Sequence, residues 1–174
     1  MRRLRHMLVI LAVSLALPVA AADPTNQAQD IWDFDSIAAP QAPTTPNQVT
    51  ARQISDMQVA MVEKWNAHDL DGFLDYYWHS PALVILEDGV ATTGWQEISD
   101  RYHHGFPDLN NMGHSNLARV QVRMLSPDAA LVITSWTIGL PRTKRLLEGT
   151  DSAYVQRIGG AWKVVLSHSS QLEM

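Results

Sequence analysis

The chain has 174 residues, a formal net charge of −5, 46% hydrophobic and 18% charged residues, and no cysteine. Without cysteine there can be no disulfide framework, thiolate metal site or thiol nucleophile, and a domain above about 100 residues can stand on packing alone. An acidic chain is repelled by phosphate backbones and anionic headgroups, so nucleic acid is not an expected partner.

Arg2, Arg3 and Arg5, the apolar run from Met7 to Leu17, Pro18 and then Ala20-Ala21-Ala22 follow the order of a secretory signal peptide. Cleavage is expected after Ala22, which removes three positive charges and leaves the mature chain at −8. A membrane anchor is the alternative, but a span needs about 20 apolar residues and this run falls well short. No stable membrane insertion is therefore expected, and the protein reads as exported, either periplasmic or secreted. Residues 23–49 turn to Pro, Gln, Thr, Asn and Ala and read as a disordered linker or tail. Ile31, Trp32 and Phe34, set among Asp30, Asp33 and Asp35, interrupt it as either a docking segment or a stretch that folds back or stays disordered.

The folded domain is expected over residues 50–174. Thr50 and Gln53 have capping-box spacing and Val49 and Ile54 that of a hydrophobic staple, predicting a helix to about Ala67 with Ile54, Met57, Met61 and Trp65 on its apolar stripe. Asp69 is expected to cap a second helix through Tyr77, with Leu70, Phe73, Leu74 and Tyr77 on one face. Residues 83–86 read as a short strand that enters a turn at Glu87-Asp88-Gly89. Thr93 and Gln96 repeat the capping spacing before a third helix lined by Trp95, Ile98 and Tyr102.

Beyond that helix the pattern changes to period two. Residues 115–125, 129–140, 152–158 and 161–170 read as strands, separated by Ser126-Pro127-Asp128, a loop over 141–149 and Gly159-Gly160. The basic cluster Arg142, Lys144 and Arg145 in the second of these reads as a solvated turn. Strands joined by short turns pair antiparallel, and helices segregated on one face of such a sheet make an α+β domain. In the closing strand, strict alternation predicts Trp162, Val164, Leu166, His168 and Ser170 on one face, an apolar row ending in an imidazole and a hydroxyl. That is the outline of a ligand pocket.

Trp65-Asn66-Ala67-His68-Asp69 between the first helices, Gly94 with Ile98 opening the third, and Gly160-Ala161-Trp162-Lys163-Val164 leading to His168 and Ser170 occur in an order that resembles the nuclear transport factor 2-like superfamily. The likeness is to its SnoaL-like and ketosteroid-isomerase-like branch in particular, over about Thr50 to Gln171. It implies a cone-shaped α+β fold in which a curved antiparallel sheet wraps the N-terminal helices and leaves a cavity. It also implies a homodimer formed through the sheet. Enzymes of that branch place acids and a tyrosine inside the cone to move a proton next to a carbonyl. This chain has Leu86 about where the isomerases carry a carboxylate, with Glu87 and Asp88 in the turn.

His168 is the leading candidate for a general base or ligand anchor, because an inward imidazole gains or loses a proton near neutral pH; the alternative is a structural histidine held by hydrogen bonds. Asp75, with Tyr76 and Tyr77, is the candidate to pair with it, unless Asp75 faces water and Tyr77 packs in the core. Trp65, Tyr77, Trp95, Tyr102 and Trp136, with His168 and Ser170, are the expected ligand-binding residues, Trp136 foremost because it alternates with Thr134 and Val132. His103, His104, His114 and Asp108 lack a fixed ligand spacing, so no metal is expected; their segment could equally cover the cavity mouth. Nucleophile-elbow, dinucleotide and phosphate-loop patterns are missing, and no cofactor is expected. The sequence thus reads as an exported domain that binds a small, largely apolar organic molecule, with proton transfer or pure association as the competing uses of the fold.

Overall fold

The computed structural model describes residues 45–87 and 89–172. The leader over residues 1–22 and the tail patch of Ile31, Trp32 and Phe34 lie outside the described residues.

The first helix, α1 (Pro46–Asn66), starts before the Thr50 signal. Thr45 is its N-cap: the Thr45 hydroxyl accepts from the Gln48 amide at 3.2 Å, and the Gln48 side chain accepts from the Thr45 amide at 3.0 Å. The same Thr-x-x-Gln spacing occurs at Thr45 and at Thr50, and Pro46 favours the first, since proline at the opening helical position presets φ and lacks a donor that would go unused. Thr50 lies one turn inside and donates its hydroxyl to the Pro46 carbonyl at 2.9 Å. Ile54, Met57, Met61 and Trp65 are buried on one face, each contributing roughly 1.5–3 kcal/mol by leaving water.

A second, short helix, α2 (Leu70–Leu74), is capped by Asp69, whose carboxylate accepts from the Gly72 amide at 2.9 Å. A small hairpin, β1 (Val84–Glu87) and β2 (Val90–Thr93), precedes α3 (Trp95–Gly105). The expected Thr93 cap is not made; Gly94, at φ 94, is the N-cap and no side chain caps the helix. Four long strands follow: β3 (His114–Ser126), β4 (Ala129–Gly139), β5 (Leu146–Ile158) and β6 (Ala161–Leu172). Strand β5 begins inside the stretch expected as a loop. The second helix ends short of Tyr77 because Tyr76 and Trp78 pair with β6: the Val164 amide donates to the Tyr76 carbonyl, and the Trp78 amide to the Val164 carbonyl, both at 2.9 Å. Aromatic residues in sequence suit an extended, half-buried edge better than a last helical turn.

The six strands form one sheet in the order β2-β1-β6-β5-β4-β3. All neighbouring pairs are antiparallel except β1 and β6, which run parallel, so the sheet is mixed where a purely antiparallel one was expected. Most of the domain separates β1 from β6, and no hairpin constrains their direction. Register shifts insert Ala118 and Leu125 as extra residues in β3 and Val165 in β6. Such bulges bend a strand and increase its twist, and here they curl the sheet over α1. Asn66, at the end of α1, ties the two layers: its side chain accepts from the Ser115 amide at 2.7 Å and donates to the Ser115 carbonyl at 2.8 Å.

Candidate functional site

Between α1 and the concave face of the sheet lies a cavity of about 440 Å³, the size of a small-molecule site. Met61, Trp65, Phe73, Phe106, Val132 and Val164 make its apolar wall. Trp65 meets Phe73 and Phe106 edge-on at 5.2 Å, and Phe73 meets Tyr77 at 5.6 Å, so the aromatic wall is interlocked.

The polar end is built by strand register. Glu87 on β1 is opposite Ser169 on β6, Ser169 is opposite Asp151 on β5, and Asp151 is opposite Thr134 on β4. All four line the cavity, giving a polar row across four adjacent strands. The neighbouring row, Ile85, Ser167, Ala153 and Val132, returns to mainly apolar character. Glu87 is anchored by α3: Tyr102 donates its hydroxyl to one carboxylate oxygen at 2.7 Å, and the Arg101 guanidinium meets the other at 2.9 Å. Asp151 has no cation beside it within the cavity; the Trp136 indole N–H donates to it at 2.9 Å, and Ser169 adds a second hydrogen bond. Among the described residues, Arg101 is the one cationic side chain lining the cavity, and it is committed to Glu87.

These surroundings set the protonation of the site. Burial pushes the Asp151 carboxyl above its ordinary value, against the hydrogen bonds from Ser169 and Trp136; the nearby Glu87 charge adds to the rise. Burial likewise pushes the phenols of Tyr77 and Tyr102 far up, so both are neutral hydrogen-bond donors. The cavity thus offers donors and a carboxylate at one end and hydrocarbon elsewhere.

Similarity to known structures fits this geometry. A protein of unknown function from Shewanella oneidensis, described as nuclear transport factor 2-like, superposes with a TM-score of 0.65 at 29% identity, over 70% of this chain and 98% of its own. The chain belongs to the nuclear transport factor 2-like superfamily. Two further structures share the fold: a superfamily protein from Salmonella enterica (TM-score 0.60, 15% identity, 74% of this chain and 94% of that one) and a candidate scytalone dehydratase from Novosphingobium aromaticivorans (TM-score 0.60, 12% identity, 74% and 87%). No protein-family model matches the sequence, and neither does any curated protein.

Within this superfamily fold, Trp65, Tyr77, Tyr102 and Trp136 come together at the cavity. His168 and Ser170 do not. Val165 is the extra residue of a bulge, so Trp162 and Val164 point inward before it and Ser167 and Ser169 after it, while Leu166, His168 and Ser170 are exposed on the opposite face. The expected inward row is thus corrected at its midpoint, because one unpaired residue inverts a period-two pattern. Asp75 is also outside: it closes α2 on the surface, its carboxylate 3.4 Å from His79. Trp95 stacks on His79 at 4.1 Å in a surface dent away from the cavity. His103 turns to the Ser99 carbonyl at 2.8 Å and to Asp71 at 3.0 Å, and among the described residues no three His, Asp or Glu side chains converge on a point.

Glu87, Asp151, Ser167 and Ser169 are the cavity residues that sequence reading passed over. Glu87 is the last residue of β1 and not part of the turn, which places Leu86 on the outer face opposite His168. Asp151 carried a usable signal. It continues the inward alternation of Val155 and Ala153, but Gly149 made that stretch look like loop. An acid in phase with a buried apolar row marks either a cavity or a mispaired core.

Proposed function

We infer that the protein binds a small, mainly apolar organic molecule in this cavity, with the flat body against the aromatic wall and a polar end against the row of Glu87, Ser169, Asp151 and Thr134. The observation that carries the reading is the Asp151 carboxylate, held inward by Trp136 and Ser169 beside a hollow of about 440 Å³ with no cation of its own. A desolvated carboxylate is costly to a fold unless a ligand or a proton meets it. The export signal in residues 1–22 supports a periplasmic or secreted location. Exposed Leu131 and Leu166, both in register with Tyr154 on the outer face of the sheet, support a homodimer through that face. Among the described residues no helix is long and apolar enough to cross a membrane. Native mass spectrometry of freshly purified protein tests the reading, since it reports subunit count and any retained molecule together. A protein that carries nothing, and that no flat organic compound stabilises in a thermal-shift screen, overturns it.

A second reading uses the same residues for proton transfer, as in an isomerase, cyclase or dehydratase. Asp151, and not His168, is then the acid–base group, with the neutral phenol of Tyr77 as donor to a developing oxyanion. The raised Asp151 carboxyl favours it, since a base works best when its proton affinity approaches the working pH. Loss of about 10²–10⁴-fold in turnover by Asp151→Asn, with ligand still bound, is the expected signature.

A further inference from the structure

We propose that the natural ligand is an organic cation, an amine with a flat apolar body whose ammonium group lies against the Asp151 carboxylate. The inference rests on the binding reading above and narrows it to a chemical class.

The charge balance of the cavity carries it. Of the two carboxylates at the polar end, Glu87 is neutralised by Arg101 at 2.9 Å. Asp151 is not: its partners are an indole N–H and a hydroxyl, both neutral. Helix α1 and strand β4 present no titratable side chain to the cavity, and His168, whose charge acts on Asp151, stands outside it on the outer face of β6. The polar end carries one net negative charge whenever Asp151 is ionised. The surrounding surface suits a cation as well. Tyr77, Tyr102, Trp136, Phe73 and Phe106 line the same hollow, and aromatic faces attract ammonium groups, more strongly where water is excluded. A carboxylate with spare acceptor sites at the end of an aromatic hollow is matched by a donor that is both charged and attached to hydrocarbon. An anionic ligand would meet a like charge, and a neutral one would leave the Asp151 charge unpaired or require it to take a proton.

Isothermal titration of the purified protein with tryptamine, tryptophol and indoleacetate, which share one ring system and differ in the charge of the side chain, separates the cases. The expected order is tryptamine tighter than tryptophol by roughly tenfold or more, with indoleacetate weakest. Asp151→Asn should abolish that preference, so that tryptamine binds no more tightly than tryptophol. A pH series on the unmutated protein gives the same answer without a variant. Glu87, Arg101, Tyr77 and Tyr102 face Asp151 across the cavity, and His168 lies behind it on β6. As pH rises above the ordinary carboxylate value near 3.9, tryptamine affinity should rise as Asp151 gives up its proton, since only the ionised form pairs with an ammonium. Tryptophol binding as tightly as tryptamine, or tryptamine affinity that falls with that rise in pH, overturns the amine class and leaves the cavity reading standing. If none of the three binds, both fall.

Discussion

The Trp136 indole lies over Gly149, its direct partner on the neighbouring strand, and reaches past it to donate its N–H to Asp151 at 2.9 Å. The glycine is there to make room. A methyl group at Gly149 would overlap the indole and stand 2.7 Å from the Ser170 carbonyl oxygen. Sheet pairing, a missing side chain and the orientation of the Asp151 carboxylate are therefore a single arrangement.

Gly149→Ala should accordingly displace Trp136 and break its bond to Asp151. The expected cost is about 1–3 kcal/mol of stability from overpacking, with a change in tryptophan fluorescence and weaker ligand binding. Urea unfolding followed by fluorescence checks both. Unchanged emission and unchanged midpoint would show that the indole does not need that space.

Stability should depend on pH through Asp151. Its carboxyl holds a proton more tightly in the folded state than the ordinary value near 3.9, so the folded protein binds more protons across the interval above that value. The contribution is fully present below about pH 4 and is lost as pH rises through the folded-state titration. Asp151→Asn removes this slope and should leave the variant more stable than the parent at neutral pH. Unfolding curves of both proteins at acid and neutral pH decide it; a variant that loses stability more steeply than the parent as pH rises contradicts the assignment.

The bulge at Val165 makes a prediction that separates two neighbouring residues. His168→Ala, on the outer face, should leave ligand affinity within about twofold, whereas Ser169→Ala removes a neutral donor to Asp151 and raises the carboxyl's proton affinity further. Carboxyl resonances followed by NMR titration report the second effect directly. A larger upward shift with His168→Ala than with Ser169→Ala would place the imidazole, and not Ser169, at the carboxylate.

Asn66 is the tie between the helical layer and the sheet. Asn66→Ala leaves the amide and carbonyl of the buried Ser115 without their side-chain partner. A loss of about 1–3 kcal/mol is expected, seen as a lower denaturant midpoint with an unchanged slope. A midpoint that does not move would mean that water replaces both bonds at no cost.

The helical half of the fold was legible because its signals are local. Ile54, Met57, Met61 and Trp65 recur at three and four residues, and that spacing alone defines a buried stripe whatever it packs against. Strands β3, β4 and β6 were legible in the same way, from alternation and from turn residues between them. Helix starts were less so, since Thr45 and Thr50 open the same four-residue pattern and only the proline beside one of them distinguishes the two.

What the sequence determined by itself, then, is the helices and every strand but the short β2, their order and the aromatic character of the hollow, because each depends on residues a few positions apart. The polar end was decided by the tertiary structure alone. Glu87, Ser169, Asp151 and Thr134 lie far apart in the chain and meet only through strand register, and register depends on a single unpaired residue at Val165 that leaves no mark in a period-two pattern. One inserted position reverses which side of the ribbon every later residue faces, so the serines flanking His168 hold the inward places that alternation from Trp162 assigns to the imidazole.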